Sequence, residues 1–199
     1  MTRTVEFIFD VVSPNAYLAW WPLRDLVRRQ QARLEVTPVF LGGMHKLTGN
    51  APPFVRDAEV KGKNAYAMLE MQRFIAKHGL TRYRMPATFP FSSIVPQRML
   101  LAVEGENRVA LAERLLTLIW EDGLDPANGE ALASALDAAD LGGMRLLKST
   151  QDAEIKQALI DNTEQAVERG VFGIPTFFVD GEIYFGKERL GQIEEQLSS

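Results

Sequence analysis

Ser13, Pro14, Asn15 and Ala16 occupy a step from strand to helix within the stretch FDVVSPNAYLAW, residues 9–20. Thiol chemistry often uses a Cys-Pro step in that setting, with a second cysteine three residues after the first. Here Ser13 and Ala16 fill the two sulfur positions, and the 199-residue chain has no cysteine. Disulfides, thiolate metal sites and a protein-borne thiol nucleophile are excluded. The corner keeps a hydroxyl at a helix N-terminus, where unpaired N–H groups and a partial positive charge favour an anion. A thiolate carried in by a ligand is such an anion. Taken alone, Ser13 reads first as a plain N-cap worth about 1 kcal/mol.

The elements that must position this corner follow from periodicity. In TVEFIFD (4–10), Val5, Phe7 and Phe9 alternate as in a strand. A helix begins at Ser13 with Pro14 at its first position, and Pro22 inside it predicts a kink. RLEVTPVF (33–40) predicts a second strand, parallel to the first because a helix crosses between them. Residues 41–57, rich in Gly, Pro and Asn, read as a loop, and 60–77 as a helix. A Pro-rich loop spans 84–96. Helices are expected over 96–107, 108–123, 128–142 and 150–170. Strands return at Thr176–Val179 and Glu182–Phe185, joined by the hairpin signal Asp180-Gly181, and a final helix covers 187–199. The order βαβ, helices, ββα is that of an α/β thioredoxin-like fold with a large helical insertion. It assigns 1–44 and 166–199 to the thioredoxin-like domain and 45–165 to the insertion.

That fold gives the Ile174-Pro175 step a meaning. In thioredoxin-like folds the corresponding X-Pro bond is cis and faces the first helix N-terminus. The alternative is an ordinary trans proline at a strand start. Before a cis proline, the backbone N–H and C=O of Ile174 are expected to be open to an extended peptide. A peptide carrying a thiol would lay its sulfur against Ser13.

Composition removes other classes. Hydrophobic residues make up 46% and charged residues 24%, which predicts a soluble globular chain. A net charge of −4 argues against a nucleic-acid partner. The first ten residues lack a signal-peptide core, and no apolar run reaches membrane-helix length, so the expected location is cytoplasmic, without membrane partners. Two histidines, His45 and His78, stand far apart, so a histidine metal site is not expected. No Walker or Rossmann glycine pattern occurs.

The chain resembles 2-hydroxychromene-2-carboxylate isomerases, a DsbA-like group that also holds the kappa-class glutathione transferases. The resemblance rests on FDVVSPNAYLA (9–19), GNAPP (49–53), KGKNAYAMLEMQRFIAKHGL (61–80), FPFSS (89–93) and GVFGIPTFFVDGEIYFGKERL (170–190). It implies a glutathione-dependent isomerase acting on an aromatic carboxylate, and a possible homodimer. Ser13 would be the catalytic residue and would meet the glutathione sulfur. Glutathione would lie along Ile174 and Pro175, with Asn50 and Lys63 near its glycine end and Lys187 and Glu188 toward its γ-glutamyl end. Two departures stand out: Lys187-Glu188 replaces a short polar residue and Asp, and Ser92 stands where Asn is common. A kappa-like transferase or peroxidase would use the same residues. A redox-inactive peptide-binding protein would use Ile174-Pro175 without Ser13.

Several residues keep two readings. Tyr17, Trp20 and Trp21 are helix core or an aromatic wall. Asn15 is a solvated first-turn residue or a donor to the site. His45 is a loop histidine or a proton carrier. Lys46, Arg56, Arg82 and Arg84 are solvated surface or partners for a substrate carboxylate.

Overall fold

The structure is a computed structural model, and residues 2–199 are described. Its centre is a four-stranded sheet in the order β2-β1-β3-β4. Strand β1 (Thr4–Phe9) pairs parallel with β2 (Arg33–Pro38) and antiparallel with β3 (Thr176–Val179), which pairs antiparallel with β4 (Glu182–Phe185). The parallel pair is joined by α1 (Pro14–Arg29) and the antiparallel pair by the Asp180-Gly181 turn, both in the positive-φ region that the hairpin needs.

Alternation along β1 decides the two faces of the sheet. Phe7 and Phe9 pack on Trp20 of α1 and, through Phe7, on Phe177 of β3. The opposite face carries Glu6 and Phe178. There Arg169 forms a two-pronged ion pair with Glu6 and lies 3.9 Å over the Phe178 ring. Helix α1 continues through Pro22 to Arg29. Proline there removes one helical hydrogen bond without ending the helix, because the flanking Trp20, Leu23 and Leu26 are buried in the core.

Eight of the remaining helices stand between β2 and β3, the first seven being α2 (Leu41–Thr48), α3 (Pro53–Arg56), α4 (Lys63–His78), α5 (Ile94–Leu101), α6 (Gly105–Trp120), α7 (Gly129–Asp137) and α8 (Gly143–Ser149). Helix α9 (Ala153–Glu168) then leads back to β3, and a short 3₁₀ turn (Lys187–Arg189) precedes α10 (Leu190–Ser198). Three differences from the periodicity reading follow. The expected loop at 41–57 contains α2 and α3. Gly42 and Gly43 weaken the helical signal of α2, but the Phe40 ring packs so closely that a β-carbon would lie 2.9 Å from it at Gly42 and 3.1 Å at Gly43. The α5–α6 break falls at residues 102–104, ahead of the expected 107–108. Helix α8 was not foreseen. It closes on α7 because Gly143 has no β-carbon; one there would lie 1.9 Å from the Ala133 carbonyl oxygen.

One cluster holds most of the buried apolar residues, from Val5 and Phe7 through Trp20 to Leu115 and Trp120. Among the described residues, no helix is long and apolar enough to cross a membrane, and no three His, Asp or Glu side chains are grouped to hold a metal ion.

Candidate active site

Ser13 precedes α1 with extended backbone, and its Oγ accepts the Ala16 N–H at 3.3 Å, which is the N-cap bond foreseen from sequence. The same hydroxyl donates to the Ile174 carbonyl at 3.2 Å, across 161 positions of chain. The Ile174-Pro175 bond is cis, as the fold reading expected, and Phe89-Pro90 is cis as well. Ile174 was read as offering both backbone groups to a ligand. Its carbonyl accepts from Ser13, which leaves its second lone pair, and its N–H makes no hydrogen bond within the described residues. The site therefore presents one open donor and an acceptor shared with the Ser13 hydroxyl.

Two further contacts bring predicted residues to this corner. Asn50 Nδ2 donates to the Phe172 carbonyl at 2.7 Å, two residues before Ile174. The Gly186 N–H donates to the Pro175 carbonyl at 2.9 Å and anchors the start of the 187–189 turn. The side chains beyond it diverge. Lys187 turns inward, buried against the Phe74 ring and paired with Glu188, whose own side chain is exposed. Lys63 is likewise committed, at 2.9 Å from Asp57, which Arg56 also grips at 3.0 Å. These two cations hold the Asp57 carboxyl well below the usual carboxylate range. Burial and the nearby Arg56 charge lower the pKa of His45.

Positioning groups that sequence reasoning passed over surround Ser13. Asp10, fully buried at the end of β1, accepts from Val12 N–H at 3.0 Å, Leu41 N–H at 2.7 Å and Ser93 Oγ at 3.0 Å. Its own carbonyl accepts the Ser13 N–H at 3.1 Å. Asp10 thus shapes the turn into α1 and caps α2, whose preceding residue, Phe40, has no capping side chain. Gln97 is also fully buried. It donates to the carbonyls of Phe9 at 2.7 Å and Val39 at 2.9 Å and accepts from Val11 N–H at 3.3 Å. The available signal was Asp10 standing three residues before Ser13, on the hydrophobic run of β1.

Burial raises the Asp10 carboxyl to about 6 from its ordinary 3.8. A carboxyl raised on folding binds its proton more tightly in the native state, so its contribution declines as pH rises from 3.8 to 6. At 1.36 kcal/mol per pH unit the full swing is about 3 kcal/mol. Urea unfolding of the wild type between pH 4 and 7 is expected to show this decline, and Asp10→Asn to lack it. Equal pH slopes in the two proteins would assign the decline to other groups.

The aromatic readings resolve by element. Tyr17 and Trp20 are buried core; the Tyr17 hydroxyl donates to Glu121 at 2.9 Å and the Trp20 indole to Glu113 at 3.1 Å. Aromatic surface beside the corner comes instead from the helical block. Trp120 donates to the Val11 carbonyl at 2.8 Å, stacks on Tyr83, and backs the half-buried Phe89 and Phe91. Arg82 faces Glu121 at 2.8 Å and Asp122 at 3.6 Å, so its charge is already paired.

The family model described as DSBA-like thioredoxin domain matches residues 4–198. A 2-hydroxychromene-2-carboxylate isomerase of Sphingobium xenophagum is 32% identical over 201 residues, covering 99% of both chains. Glutathione s-transferase kappa 2 of Caenorhabditis elegans is 27% identical over 98% of this chain and 92% of its own. A solved 2-hydroxychromene-2-carboxylate isomerase superposes with a TM-score of 0.85 at 23% identity, over 98% of this chain and 94% of that one. With a cysteine-free Ser-Pro corner set against a cis Ile-Pro step, the chain belongs to the DsbA-like thioredoxin family, in the branch of the 2-hydroxychromene-2-carboxylate isomerases.

Proposed function

We propose that the protein is a glutathione-dependent isomerase of aromatic catabolism, converting 2-hydroxychromene-2-carboxylate to trans-o-hydroxybenzylidenepyruvate. The observation that carries this reading is the Ser13 hydroxyl held 3.2 Å from the Ile174 carbonyl, at a helix N-terminus, in a chain without cysteine. The residues present fit a thiol peptide. The open Ile174 N–H is a donor for a ligand carbonyl, and the Ile174 carbonyl, shared with Ser13, is an acceptor for a ligand amide. Glutathione, when bound, would supply a thiolate for reversible covalent catalysis of the double-bond isomerisation, leaving glutathione itself unchanged.

The chain's own residues do the rest. Ser13 Oγ–H redirects from Ile174 toward the sulfur, and with the first turn of α1 it favours the thiolate over the thiol. Ile174 and Pro175 fix the peptide in extended form. Asn50 stands on the same loop face, and Lys63, Lys187 and Glu188 hold the ends, each by exchanging a present partner for the ligand. The thioredoxin-like part, 1–44 and 166–199, is assigned the thiol and backbone of the peptide, with Asn50 and Lys63 of the helical block at its glycine end. The helical block, 45–165, is assigned the aromatic substrate, through Phe89 and Phe91 with the buried Trp120 behind them. The same family relation supports a cytoplasmic homodimer.

A spectrophotometric isomerisation assay, run with and without reduced glutathione, tests the reading. Turnover is expected only with glutathione, together with a rise in melting temperature at millimolar ligand. Turnover without it sinks the mechanism. The kappa relatives favour a second reading, conjugation of a hydrophobic electrophile. Mass spectrometry separates the two, since an isomerase returns glutathione unmodified.

A further inference from the structure

Away from the Ser13 corner, α2, α5 and α9 enclose an open groove of about 350 Å³. Phe40, Leu47, Ile94, Leu159 and Ile160 give it an apolar lining, and Leu47 and Ile160 are half exposed. Three cations, Lys46, Arg98 and Lys156, stand around it with one carboxylate, Glu164. Among the described residues none of the three cations has a carboxylate within 4.0 Å, Glu164 included. Arg98 Nε is buried without a hydrogen-bond partner, and its Nη1 has only a 3.5 Å contact with the Thr150 carbonyl.

This combination runs against the rest of the molecule. The chain carries a net charge of −4, yet here three positive groups converge without being neutralised. The Arg98 Nε is too enclosed for a groove ligand to reach, so a carboxylate would meet the outer guanidinium nitrogens, a charge-assisted pairing. The volume lies at the lower end of cavities that take small organic molecules. A phosphate ester or nucleotide would set polar groups against Phe40, Ile94 and Leu159, whereas a carboxylate on an apolar body would leave none unpaired.

We propose that this groove is a second binding site, taking an amphipathic organic carboxylate whose head meets Arg98 and Lys156 and whose apolar body lies on Phe40, Ile94 and Leu159. The site is independent of the isomerase reading and uses none of its residues.

The probe is octanoate, with octanamide as its uncharged twin, followed by isotope-edited NMR on the full chain. Octanoate is expected to shift resonances of Gly43, Leu47, Ile94 and Ile160 saturably, and octanamide to bind at least about tenfold more weakly, since one charge-assisted hydrogen bond is worth that factor. Lys156→Glu and Arg98→Met should each weaken octanoate by a similar factor, while Ser13→Ala and saturating glutathione leave it unchanged. Should Arg98→Met fail to fold, Lys156→Glu and the amide decide. Equal affinity for acid and amide, insensitivity to Lys156→Glu, displacement by glutathione, or no saturable shift at millimolar octanoate would each overturn the proposal.

Discussion

Ser13→Ala is expected to lower isomerase turnover about 10²–10³-fold, the usual effect of removing one hydrogen-bond donor aimed at a developing anion. The geometry separates this loss from a stability effect. Ser13 Oγ makes two contacts in the structure, accepting from Ala16 N–H and donating to the Ile174 carbonyl. Losing the cap and the long-range bond costs about 1 kcal/mol each, which at this chain length lowers Tm by several degrees. Glutathione binding should survive, because the substitution frees the Ile174 carbonyl for a ligand amide. The expected signature is a large fall in kcat with the glutathione-induced thermal shift retained. Ser13→Thr, which keeps the hydroxyl, should recover part of the rate. A Ser13→Ala enzyme with full turnover and a lowered Tm would reduce Ser13 to a helix cap.

The second large effect is expected at Gln97. Its amide joins three backbone segments that meet behind the corner: Phe9 at the end of β1, Val11 in the turn to Ser13, and Val39 after β2. Gln97→Leu fills the same space but leaves the Val11 N–H and the Val39 carbonyl buried without these partners; the Phe9 carbonyl keeps the Val39 N–H at 3.0 Å. Two unsatisfied buried groups cost about 3 kcal/mol in total, or about 6–12 °C in Tm for a chain of this size. Calorimetry of the variant checks this. The turn that carries Ser13 loses a brace, so turnover should fall more than glutathione affinity. A Tm within about 2 °C of wild type would show that the backbone groups find other partners and that Gln97 is not a brace.

How much of this was legible in the residues depended on the range of the forces involved. β1, α1 and the β3–β4 hairpin could be read directly, because strand alternation, a Ser-Pro helix start and an Asp-Gly turn act within a few positions. The resemblance to the isomerases was legible as well, since it rests on short motifs. Helix α2 was not, because its sequence offers Gly42 and Gly43 and no capping side chain. Its cap is Asp10, thirty-one positions earlier. The missed α8 is likewise a packing decision: Gly143 matters only once α7 lies against it.

By itself the sequence determined that any thiol chemistry here must use a borrowed sulfur, because no cysteine exists to supply one. It also determined that a hydroxyl stands at a helix N-terminus after the first strand, because the Ser-Pro step is local backbone chemistry. Only the tertiary structure decided that this hydroxyl meets the Ile174 carbonyl, that Lys187 turns inward onto Phe74, and that Lys63 is held by Asp57. The direction of a side chain at a loop end is set by neighbours from distant segments, and burial and charge pairing among them are fixed only when the chain has folded around its core.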